Sequence, residues 1–201
     1  MESSHGFTKI TILSLLLIFS ACNNERAKKC AHLPYRNKFK NGDIICRLGN
    51  GYFSNIFKNF SSSEKIYSHI GIIERSNDSV FVIHCEASEL TGVGYVKREN
   101  INIFLHNINT WALYRFSEKD SIKKGIVLNA KTYYEKKTPF DLKFDLTNDR
   151  EVYCSELVAL CINKSFNDSI IKPRLYLNKK CFYGIDNIYL NHNLNLVFKQ
   201  E

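Results

Sequence analysis

Two side chains in this 201-residue sequence have the type and setting for covalent chemistry, Cys154 and His69. Cys154 lies in Glu151-Val152-Tyr153-Cys154-Ser155-Glu156-Leu157-Val158. Leu157, Val158, Cys161 and Ile162 recur at helical offsets, so Val152 to about Phe166 reads as a helix with the thiol in its first turn. There, unpaired N–H groups and the positive end of the helix dipole stabilise a thiolate, and the same groups can receive an oxyanion. Asp149, Glu151 and Glu156 oppose a thiolate if they point at it, and Cys161, two turns on, belongs to the apolar face. Position alone leaves Cys154 evenly divided between nucleophile and core thiol.

His69 opens the run Tyr67-Ser68-His69-Ile70-Gly71-Ile72-Ile73, and a lone strand histidine is more often structural than basic. The neighbouring sequence changes that balance. His69–Arg75 and Val80–Glu86 are β-rich runs separated by the turn-forming Ser76-Asn77-Asp78-Ser79. A loop centred on Asn77-Asp78 puts His69 opposite Glu86 and Gly71 opposite His84. His69, His84 and Glu86 then share one sheet face, and Gly71 leaves room for His84 to lean toward His69. An imidazole flanked by a second imidazole and a carboxylate has what an oriented general base needs.

The remaining elements must bring strand and helix together. Ile44–Leu48 is a short strand after the turn at Gly42-Asp43, and Tyr52–Phe60 has helical offsets at Phe53, Ile56, Phe57 and Phe60. Val93–Lys97 and Trp111–Phe116 read as strands, and Leu194–Phe198 as a last one. Asp120 to about Tyr134 carries Ile122, Ile126, Val127, Ala130 and Tyr133 on one helical face, ended by Thr138-Pro139. Strands in succession followed by helices predict an α+β domain with a mostly antiparallel sheet.

Four segments, in order, resemble the circularly permuted branch of the NlpC-type, papain-like cysteine hydrolases, the YiiX/YaeF-like amidase group. They are Gly42-Asp43-Ile44-Ile45, Tyr67-Ser68-His69-Ile70-Gly71-Ile72, Val82-Ile83-His84, and Tyr153-Cys154-Ser155-Glu156-Leu157-Val158. Pro139-Phe140-Asp141 with Phe144-Asp145 looks like the segment these proteins carry ahead of the cysteine. Histidine before cysteine is the permuted order, shared with the more distant lecithin:retinol acyltransferase-like enzymes. The resemblance implies a permuted papain-like domain, a sheet packed against helices with the nucleophile at a helix N-terminus. It also implies Cys154 as nucleophile, His69 as base and His84 as the orienting residue, with Glu86 the alternate. Asp43 reads as a capping or turn residue, and Asp141 and Asp145 as holding the loop before the nucleophile, with binding of a substrate ammonium the alternative. Tyr67 and Ser155 are candidates to line the site.

The expected reaction is attack of the Cys154 thiolate on an amide carbonyl, of a cell-wall peptide or related molecule, through an acyl-thioester. The alternatives are a lipid acyl hydrolase or acyltransferase with the same Cys–His pair, and a non-catalytic wall- or lipid-binding lipoprotein. A disulfide between Cys154 and, for example, Cys181 would rule out the hydrolase. No pair of Cys or His has structural-zinc spacing, and a His-paired thiolate requires neither metal nor organic cofactor.

The N-terminus is expected to lie outside this domain. Lys9 precedes the apolar Ile10–Phe19, and Ser20-Ala21-Cys22 follows, a secretory signal too short to span a bilayer permanently. Small residues before Cys22 resemble the bacterial lipobox, with an ordinary signal peptide as the alternative. Residues 1–21 then form the signal, 22–37 a lipidated tether and 38–201 the hydrolase domain, held through Cys22 on a bacterial cell-envelope membrane and facing an extracytoplasmic space. The net charge of +8 favours anionic partners, but the basic residues are scattered in pairs such as Lys136-Lys137, without the aromatic interleaving of a nucleic-acid surface. Hydrophobic content of 44% and aromatic content of 13% are ordinary for a globular domain.

Overall fold

The sheet that carries the site is buried on both faces at its centre, where Ile44–Arg47 and His69–Ser76 are covered along nearly their whole length. The computed structural model describes residues 36–177 and 180–201; Cys22, Cys30 and the expected signal and tether segments lie outside the described residues, except for the last two tether positions. A short strand β1 (Ile44–Arg47) leads to helix α1 (Tyr52–Phe57), then to the hairpin β2 (His69–Ser76) and β3 (Ser79–Ala87). Next come β4 (Gly94–Asn100), the single turn α2 (Ile101–Phe104) and β5 (Trp111–Phe116). Two long helices follow, α3 (Asp120–Glu135) and α4 (Cys154–Phe166). A small hairpin, β6 (Leu175–Leu177) and β7 (Lys180–Phe182), a turn of helix α5 (Asp186–Tyr189) and β8 (Leu194–Gln200) complete the domain.

The main sheet has six strands in the order β4-β3-β2-β1-β5-β8, every neighbouring pair antiparallel. The domain is therefore α+β with a large antiparallel sheet, as the order of elements predicts. Ile44, Cys46, Ile70, Ile72, Ile83, Cys85, Val96 and Ala112 point to one face. Onto it pack Ile126, Val127, Ala130 and Tyr133 of α3 and Leu157, Val158, Cys161 and Ile162 of α4. Cys46, Cys85 and Cys161 behave as small hydrophobes, each fully buried. Glu74 anchors α3 electrostatically, bonded to Arg98 beside it in the sheet and to Lys131 on the helix.

The hairpin register follows the expectation. Ile72 pairs with Ile83 and Ser76 with Ser79, closed by Asn77 in the left-handed region at φ 52°. Several elements differ from the sequence reading in extent or placement. The first helix stops at Phe57, followed by turns to Phe60. The fourth strand runs on through Lys97, Arg98 and Glu99 to Asn100, because each of these charges finds a partner on one sheet face or the other. Helix α4 begins at Cys154, since Val152 is drawn into a parallel bridge with Phe140. The last strand does not merely follow the helices; it returns to the sheet edge beside β5, with a register shift between Leu113 and Tyr114. Among the described residues no helix is long and apolar enough to cross a membrane.

Candidate active site

The first turn of α4 meets the beginning of β2. Cys154 is half-buried there, and the backbone N–H groups of Ser155 and Ile70 face its sulfur. Burial pushes the thiol up to about 11, and the Glu86 charge adds to this, while the two N–H groups act in the opposite direction. Glu156 does not oppose a thiolate as a bare charge would. Burial first, then Asp141 and Asp149, raise its carboxyl to about 8, so it is mainly protonated at neutral pH. Its side chain accepts the Tyr153 N–H at 3.2 Å, capping the helix that presents the cysteine.

The loop before the thiol is fixed from both sides. The Asp141 carboxylate accepts the N–H groups of Lys143 at 2.7 Å and Asp145 at 2.5 Å, and Asp145 in turn holds Thr147. The structural expectation for both aspartates matches this geometry. Phe144, at φ 52°, packs against Phe60, Tyr153 and Phe182 with ring centroids 5.6, 5.0 and 6.0 Å away. Tyr153 Oη accepts the Tyr183 N–H at 2.8 Å, and Ser155 Oγ donates to the Tyr183 carbonyl at 2.7 Å. The Lys- and Asn-rich C-terminal region thus clamps the residues on either side of the nucleophile. Nothing in its sequence period marks it for that role.

On β2 and β3 the two imidazoles come together. His69 Nε2 lies 2.7 Å from His84 Nδ1, and the rings stand edge to face with centroids 4.9 Å apart. Both are buried, covered by the Phe104 ring of α2 at 5.7 and 5.0 Å. The bare Cα of Gly71 makes this approach possible: a Cβ there would stand 2.5 Å from Val82 Cγ1 and 3.1 Å from His84 Cβ. Burial, then the neighbouring His84, holds the His69 imidazole well below its ordinary range. Burial likewise lowers His84, although the Glu99 hydrogen bond works against it.

Glu86 sits on the same face but not on the His69 ring. Its carboxylate is divided between Arg47 Nη2 at 2.8 Å and Lys97 Nζ at 2.6 Å. Arg47 also bonds the Phe104 carbonyl and lies over the Phe104 ring, 4.2 Å from its centroid. A residue that the sequence reading passes over, Glu99 of β4, receives the far nitrogen of His84: Nε2 to Oε1 is 2.5 Å. Its neighbours Lys97, Arg98 and Asn100 disguise it as an ordinary surface charge, and only the β3–β4 pairing reveals it, with Val82 opposite Glu99.

Cys154 and His69 line one cavity of about 270 Å³. Phe57, Phe140 and Leu142 supply apolar walls, and Arg47, Glu86 and Glu89 the charged ones. Ser155 lines a smaller recess on the Tyr183 side. Tyr67 instead lies fully buried in the core, edge-on to Tyr189 at 5.2 Å. Asp43 is a turn anchor, accepting the Lys40 N–H at 2.8 Å and held by Arg115. The described cysteines, Cys154 and Cys181 among them, are free thiols. A thiol at a helix N-terminus beside a buried, oriented imidazole is an arrangement for acyl transfer.

Comparison with known proteins agrees with this fold. The crystal structure of the metalloprotein yiiX from Escherichia coli O157:H7 superposes with a TM-score of 0.66 at 16% identity, covering 81% of this chain and 98% of that one. A search of curated proteins finds no match. The family model described as the permuted papain-like amidase enzyme, YaeF/YiiX, C92 family, matches residues 38–184, which include both imidazoles, Glu99 and the cysteine. The chain belongs to that family of permuted papain-like cysteine amidases.

Proposed function

We propose that this amidase cleaves an amide bond of cell-wall peptide or a related envelope molecule through a Cys154 acyl-thioester. The observation that carries the reading is the shared cavity of Cys154 and His69, with His69 Nε2 occupied by His84. The other ring nitrogen, Nδ1, is then the atom that takes the thiol proton as sulfur attacks the carbonyl and hands it to the departing amine. The Ser155 N–H at the helix start and the Ile70 N–H of β2 both face the sulfur, and they are the donors available to an oxyanion. Water, deprotonated by the same imidazole, attacks the thioester and releases the acid. Apolar walls at Phe57, Phe140 and Leu142 would hold the acyl side of the substrate, and the Glu86–Arg47 pair its polar groups.

The metalloprotein description of yiiX raises the question of a metal. His84, Glu86 and Glu99 are the candidate ligand group among the described residues, with ligand atoms within 4.8 Å of one another. Arg47 and Lys97 already neutralise Glu86, however, and both nitrogens of His84 are engaged by His69 and Glu99. This donor set does not fit a divalent cation, and no step is routed through one.

Attachment through a lipidated Cys22 to an envelope membrane is part of the same proposal, and the envelope is where a wall peptide would be met. Incubating the purified protein with wall peptides and, separately, with phospholipids decides between the two acyl classes. The amidase reading expects new amino groups from the peptides, absent in Cys154→Ala. Fatty acid release alone would replace it with a lipid acyl hydrolase.

A further inference from the structure

The proton positions in the two-imidazole pair are set from outside it. A carboxylate has only acceptor atoms, so the 2.5 Å contact between His84 Nε2 and Glu99 Oε1 requires the proton on Nε2. A neutral imidazole carries one ring proton, which leaves His84 Nδ1 bare and accepting. Its partner at 2.7 Å, His69 Nε2, must then be the donor. His69 is also neutral, so its Nδ1 is bare too. That is the one nitrogen through which His69 can take a proton from Cys154.

We propose that Glu99 is a positioning residue that, acting through the His84 ring, holds His69 in the tautomer with an unprotonated Nδ1. The proposal rests on the reading of His69 as the base of Cys154. Without Glu99 either tautomer of His84 satisfies the His69 contact, and half of the possible arrangements place a proton where the thiol proton must go.

The surroundings favour a neutral pair. Among the described residues, Glu86 from β3 also acts on the imidazoles, and it is shared by Arg47 of β1 and Lys97 of β4. Lys97 also stands 3.9 Å from Glu99, and the remaining cover is the Phe104 ring. Burial raises the Glu99 carboxyl, but the His84 hydrogen bond and the Lys97 charge work against it, and Glu99 is held below the usual carboxylate range. A second proton on His84 reverses the chain of donors. His84 Nδ1 would then donate, His69 Nε2 would accept, and the His69 proton would move to Nδ1. Acid inactivation accordingly follows protonation of either ring.

The test is nitrogen NMR of the full chain labelled in histidine, at near-neutral pH, with signals assigned by single replacement of each histidine. The expected wild-type spectrum has His69 and His84 both protonated at Nε2 and bare at Nδ1. A wild-type His69 protonated at Nδ1 overturns the proposal, whatever the variants do. In Glu99→Gln, whose amide can turn either atom toward His84, His69 should become a mixture of tautomers. Alkylation of Cys154 by iodoacetamide should fall roughly tenfold to a hundredfold, the range for an outer residue that fixes a tautomer. Glu99→Asp should recover part of both. A Glu99→Gln protein with the wild-type spectrum and labelling rate overturns the proposal as well. Alkylation at the wild-type rate in His69→Ala would instead remove the base assignment, and the spectra would still report whether Glu99 governs the tautomer.

Discussion

At the scale of single residues, the proposed reaction begins in the environment that burial gives Cys154 and His69. The thiol is raised to about 11 by burial and the imidazole lowered, so near neutral pH both are uncharged. The proton then moves during attack and not before it. With neutral His69 as the proposed base, loss of activity on the acid side should therefore begin well below pH 6.5, the ordinary histidine value. Alkylation of Cys154 should keep rising with pH toward about 11. A pH series of iodoacetamide labelling measures both, and a plateau already reached in mild acid would mean a preformed thiolate–imidazolium pair. His84→Ala should lower turnover by about tenfold to a hundredfold while leaving Cys154 in place, since it removes the orienting partner of His69 but neither reacting atom. The candidate pair stands out in the sequence because a thiol at a helix start and a histidine on a patterned hairpin each carry a local signal, but position alone leaves Cys154 evenly divided between nucleophile and core thiol, and the family resemblance makes the choice. Glu99 does not stand out, because a strand charge looks the same whether it faces water or a buried ring.

At the scale of elements, the sequence pattern is most informative where period and turn chemistry act together. The hairpin register follows from the Asn77-Asp78 turn, and the α3 face from its apolar spacing. The loop before the nucleophile has no period, and its shape comes from side chains that cap its own backbone, as Asp141 does. Glu156 ties this level to pH. Its folded value of about 8 lies above its ordinary 4.5, so it favours the fold when protonated. That contribution is complete below pH 4.5 and is lost as the pH rises through about 8. Glu156→Gln keeps an acceptor for the Tyr153 N–H without the charge. Thermal unfolding should find it more stable than the parent above pH 8, with a flatter pH dependence; an equal alkaline decline in both proteins would show that another group is responsible. Asp186 of α5 receives the N–H groups of Ser62, Ser63 and Glu64, a link over more than 120 positions that no local pattern announces. Asp186→Ala leaves those donors without their acceptor and should cost about 1–3 kcal/mol, readable by chemical denaturation.

Across the whole molecule, the permuted order puts the sheet with both imidazoles ahead of the helix with the thiol, and the family match over residues 38–184 spans both. The main core lies between that sheet and the α3–α4 pair. Leu157, fully buried one turn from the thiol, should cost about 2–5 kcal/mol on truncation to Ala, with a lower melting temperature as the readout. The return of β8 to the sheet edge escaped the sequence reading, because a strand's pattern names its faces but not its neighbour. The central claim, that Cys154 is the nucleophile and His69 its base, is tested most directly by labelling the mature protein with an electrophilic acyl-mimic probe and mapping the modified cysteine. Labelling is expected at Cys154, absent in Cys154→Ala, sharply reduced in His69→Ala and normal in Cys161→Ala. Equal labelling of all three variants would contradict it.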